Sequence, residues 1–110
     1  MSRGAVLIAA ERLRQIGDEG WTAEHDAQHS EGELALAGAA YALSAVQFPN
    51  PPEWWPWAAG WWKPDNPLRD LVKAGALIAA EIDRRLAEGE PDRNAWPVSE
   101  RDRADEEPKR

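Results

Sequence analysis

The sequence predicts a small all-α domain of three helices, with a long Trp- and Pro-rich loop between helices 2 and 3 and a disordered charged C-terminal tail. Three observations carry this. Apolar residues recur at three- and four-residue spacing in three separate stretches. Prolines at 49, 51, 52, 56, 64 and 67 interrupt the chain between the second and third stretches, each removing a backbone donor and restricting its predecessor. Past Gly89 the chain is mostly charged, with Trp96 and Val98 its only sizeable apolar residues. At 110 residues this is one folded unit, divided into a helical domain over 1–89 and a tail over 90–110.

The first helix is expected over residues 3–16, where Val6, Ala9, Ala10, Leu13 and Ile16 share one face and Glu11, Arg12, Arg14 and Gln15 the other. Gly17 and Gly20 stop it. Residues 21–29 read as a polar linker. Ser30 then caps the second helix, with Glu33 completing a capping box. Its buried stripe is Leu34, Ala37, Tyr41 and Ala45, with Leu36, Ala40 and Leu43 alongside. The third helix starts at Asn66, a capping residue, followed by Pro67 at the first helical position. Leu71, Gly75, Ile78, Ile82 and Leu86 mark its buried stripe, Glu81 and Arg85 pair across one turn, and Gly89 ends it.

Composition bounds the function. The seven Trp far outweigh one Tyr and one Phe, so an Ala-rich core is expected to be completed by Trp burial or by assembly into a homo-oligomer. A net charge of −7 and a pI near 4.8 argue against an extended nucleic-acid surface. Without Cys there is no disulfide and no thiolate metal site. The apolar run at 5–10 is too short to cross a membrane, and a cytoplasmic protein is expected.

Two stretches carry candidate chemistry. His25 and His29 stand four residues apart with Asp26 between them and Glu33 beyond. Such a cluster orders a turn through hydrogen bonds, holds a divalent metal with a further carboxylate, or recognises a ligand in a pH-dependent way. In the loop, Trp54, Trp55, Trp57, Trp61 and Trp62 offer flat faces for stacking. Lys63, Arg69 and Lys73 follow closely and can neutralise phosphate, and the helix start at Asn66 adds backbone N–H groups suited to an anion. The expected ligand-binding set is therefore Trp21, His25, Asp26, His29, Trp55, Trp57, Trp61, Trp62, Lys63, Arg69 and Lys73. No particular cofactor is specified, and no nucleophile or phosphate-loop motif is present.

Several of these runs resemble a family. Glu11-Arg12-Leu13-Arg14-Gln15-Ile16, Glu19-Gly20-Trp21-Thr22, Glu24-His25-Asp26 with His29, Trp55-Pro56-Trp57, Trp61-Trp62-Lys63-Pro64 and the run from Arg69 to Ile78 are similar to small proteins encoded by bacteriophages and prophages. The resemblance covers about residues 5–86. It implies a setting in the host cell cytoplasm, where accessory proteins alter host defence or nucleotide pools. Glu33-Leu34-Ala35 also resembles part of the acidic motif of MazG-type nucleotide pyrophosphohydrolases, but Lys73 stands where the second motif has an acid.

The expected function is sequestration of a nucleotide-like phosphorylated small molecule without catalysis. The alternatives are a metal-dependent nucleotide hydrolase using His25, Asp26, His29 and Glu33, and a module that docks a host protein through the Trp loop.

Overall fold

The computed structural model describes residues 1–46 and 51–90. These form four α-helices, α1 (Arg3–Asp18), α2 (Ala23–Ala27), α3 (Glu33–Ser44) and α4 (Pro67–Ala87), with one 3-10 turn at Ala59–Trp61 inside the loop. There is no strand among the described residues, so the all-α class holds. The expected tail lies almost wholly in 91–110, outside the described residues, as does 47–50 at the start of the loop.

The helix count differs by one. Residues 21–29, expected as linker, contain α2, because Thr22 Oγ1 accepts from His25 N at 3.3 Å and Glu24 and Asp26 fall in the first turn. The start of α3 also moves. Gly32, at φ 88°, enters the helix without a side-chain cap, and the Glu33 carboxylate accepts from Glu31 N at 2.7 Å, so no capping box forms on Ser30. The start of α4 is as expected: Asn66 Oδ1 accepts from Arg69 N at 2.8 Å with Pro67 at the first position.

α4 is the central element, packed most extensively on α3, then on α1 and α2. Leu34, Ala37 and Tyr41 of α3 meet Ala74, Leu77 and Ala80 of α4, and Trp21, Trp55, Trp57 and Trp62 pack against that cluster. Small residues set the spacing. A Cβ on Gly38 would stand 3.2 Å from the Ala74 carbonyl oxygen and 3.0 Å from Ile78 Cγ1.

The expected inner faces of α1 and α4 are outer faces. Val6 is 49% exposed and Leu13 69%, while Glu11 and Gln15 are buried. Leu71 is 50% exposed, Ile78 45%, Ile82 52% and Leu86 45%, whereas Val72, Ala76, Ala80, Glu81 and Arg84 are buried. The inward carboxylates are matched by neighbouring donors. Glu11 accepts from Arg14 Nε at 2.9 Å, from Gln15 Nε2 at 3.1 Å and from Arg69. Glu81 accepts from Arg84 Nε at 2.9 Å and Arg85 Nε at 2.8 Å, the second being the expected pair. Satisfied in this way, charges tolerate burial that would be costly alone.

Candidate functional site

α2 sets the histidines. Its single turn leaves the His25 and His29 rings with centroids 4.8 Å apart, and Trp21, just before the Thr22 cap, stacks on His25 at 5.7 Å and 3°. Asp26 points the other way, into the interior, where Arg12 Nη2 donates to its carboxylate at 3.0 Å. His25 Nδ1 stands 3.1 Å from the other Asp26 oxygen. A carboxylate only accepts, so this contact assigns the proton to Nδ1 and leaves Nε2 as the acceptor nitrogen when the ring is neutral. His29 Nδ1 lies 3.8 Å from Glu33 Oε2.

The loop closes over α3 and α2 in two layers. Trp62 stacks on Tyr41 at 4.8 Å, and Trp55 meets both rings edge-on at 5.8 and 4.8 Å. The Trp55 indole N–H donates to the Ala58 carbonyl at 3.2 Å. The loop is held to the helices through its main chain: Lys63 N donates to the Tyr41 hydroxyl at 2.9 Å, and Lys73 Nζ donates to the Lys63 carbonyl at 2.6 Å. Burial pushes the Tyr41 phenol above its ordinary pKa, with the Lys63 N–H opposing, so the hydroxyl keeps its proton. In the outer layer, Trp57 approaches His29 at 5.3 Å and Trp21 at 6.0 Å.

Two adjoining cavities are lined by these described residues. Trp21, His25, His29, Pro56, Trp57, Ala58 and Trp61 line an open groove of about 440 Å³. A narrower cleft of about 50 Å³ runs between Glu11, Arg14, Gln15 and Glu19 on one side and Lys63, Lys73, Tyr41 and Leu77 on the other. Trp21 and Trp61 line both, so these two rings stand between an aromatic chamber and a charged one. Lys63 Nζ lies 5.3 Å from the Trp61 ring centroid, within cation–π reach. Gln15 Oε1, beside the charged cleft, is buried without a protein partner.

Of the expected site residues, Trp21, His25, His29, Trp57 and Trp61 come together in the groove, and Lys63 and Lys73 line the adjoining cleft. Four do not join them. Asp26 is engaged beneath His25 by Arg12, Trp55 and Trp62 are packed on Tyr41, and Arg69 is bonded to Glu11. The start of α4 is not an open anion site either. Asn66 occupies the Arg69 N–H, and Asp70 holds Asp65 N at 2.7 Å and Ser44 Oγ at 3.1 Å. Arg14, Gln15 and Glu19 were outside the expected set, because a polar helix face reads as solvated. Among the described residues no group of three or more His, Asp and Glu side chains is arranged to hold a metal ion. No described helix is long and apolar enough to cross a membrane. Comparison with family models, with curated proteins and with solved structures returned no match.

Proposed function

We propose that this chain binds and sequesters a nucleotide-like phosphorylated small molecule without catalysis, in a phage-type counter-defence setting. One observation carries the proposal: an aromatic groove and a Lys-bearing cleft share the walls Trp21 and Trp61. A planar base entering the groove meets the faces and edges of Trp21, Trp57 and Trp61, and His25 Nε2 is available as an acceptor for an exocyclic amine. From there a phosphate reaches past Trp61 toward Lys63 and Lys73, while the Glu11 and Glu19 carboxylates lining the same cleft are engaged by Arg14.

Calorimetric titration with a nucleoside monophosphate, the matching nucleoside and inorganic phosphate tests this. The monophosphate is expected to bind most tightly and to weaken with added salt. Trp61→Ala should lower its affinity about tenfold or more, the effect of losing one stacked base. Chromatography of the released ligand should return it intact. Recovery of a cleaved product, or equal weak binding of all three probes, overturns the proposal.

A further inference from the structure

α1 and α4 are amphipathic helices set with their polar sides inward. On α4, Leu68, Leu71, Ile78, Ile82 and Leu86 recur along the outer side. At 1.5 Å per residue this row is about 27 Å long. Val6, Leu13 and Ile16 form the corresponding row on α1, opposite buried Glu11 and Gln15. Among the described residues the interior by contrast holds only Leu34, Tyr41, Val72 and Leu77 as buried apolar side chains larger than Ala. A single copy leaves outside more large aliphatic side chain than it encloses, and a domain of this size is poorly stabilised by such a core.

We infer that the outer rows of α1 and α4 are an interface with a second copy of this chain. Area supports this occupant: the exposed portions of these side chains amount to on the order of 700 Å², close to the roughly 800 Å² per partner of a standard interface. So does spacing. Leu68, Leu71, Ile78 and Ile82 stand three, seven and four residues apart, steps that keep to one seam of paired helices, which is self-complementary about a two-fold axis. Stability adds a third reason. A chain whose core is completed from outside needs its partner whenever it is made, and another copy is always at hand.

Light scattering on the full chain at tens of micromolar is expected to give at least twofold the single-chain mass of 12.2 kDa, and the thermal midpoint should rise with protein concentration. Ile82→Glu and Leu13→Glu each place a charge in an outer row without entering the inner layer. Both variants should fall to the single-chain mass and lose the concentration dependence. A wild type of single-chain mass overturns the inference, whether residues 91–110 or a different protein covers the rows. Variants that keep the wild-type mass overturn it equally.

Discussion

Glu11 is a junction of the inward polar face, meeting Arg14, Gln15 and Arg69 at once. Burial alone would push its carboxyl up. The bonds and charges of Arg14 and Arg69, with the Gln15 amide, outweigh this and hold it below its ordinary value of 4.5. A carboxyl lowered on folding stabilises the folded state above its unfolded pKa, and that contribution is lost as pH falls through the folded value. Glu81 is lowered in the same sense by Arg84, against burial, with help from Arg85. Urea titrations stepped down through about pH 4.5 and below should therefore show stability falling with acid. Glu11→Gln should cost about 2–3 kcal/mol at neutral pH, because two guanidinium groups lose their shared counter-charge, and its acid dependence should be shallower but not flat. An unchanged acid profile in the variant would show that Glu11 is not one of the titrating groups.

At the scale of elements, the start of α4 was legible and its inward face was not. For α3 the reverse holds: Leu34, Ala37 and Tyr41 lie inside as expected, but the helix starts from Gly32 and not Ser30, and α1 runs through Gly17 to Asp18. Asn66 and Pro67 announce α4 because a cap is made from residues three apart, wholly within the sequence. His25 and His29 were legible as a pair for the same reason. The orientation of α1 and α4 was not, since periodicity locates an apolar stripe but only the packing of other helices decides which side faces in. Glu11 and Gln15 turn inward because Arg69, 58 positions from Glu11 in the chain, supplies a partner there. The division of the Trp loop was hidden likewise: contact with Tyr41, not residue type, separates Trp55 and Trp62 from Trp57 and Trp61. Glycines sort in the same physical terms. Gly38→Leu should destabilise by about 3 kcal/mol, because the Ala74 carbonyl it meets is α4 backbone. Gly17→Ala, in open space within α1, should gain about 0.5–1 kcal/mol of helix propensity. Chemical denaturation of the two variants checks both signs, and a neutral Gly38→Leu would mean that α3 and α4 are not closely apposed.

For the whole molecule, stability is distributed unevenly. α3 and α4 enclose the apolar cluster, α1 lies on α4 through Ile8 against Gly75 and the Glu11–Arg69 pair, and α2 is a single capped turn. Amide hydrogen exchange should accordingly be slowest at the buried positions of α3 and α4, intermediate in α1 and fastest in α2 and the loop around Ala58. Protection in α2 equal to that of α4 would contradict this order. On this ordering the groove residues His25, Trp57 and Trp61 should exchange faster than the α3–α4 scaffold beneath them.

Residue 63 has a consequence of another kind. Its N–H is taken by Tyr41 and its carbonyl by Lys73, so the loop is moored through a peptide unit and not through the lysine side chain. The moorings are blind to which amino acid stands there, provided it retains an N–H. Position 63 can therefore drift through mutation without releasing the loop, while the charge it offers to the cleft changes sign or disappears. The charge lining the cleft can thus be rewritten by single substitutions at one position on an unaltered scaffold.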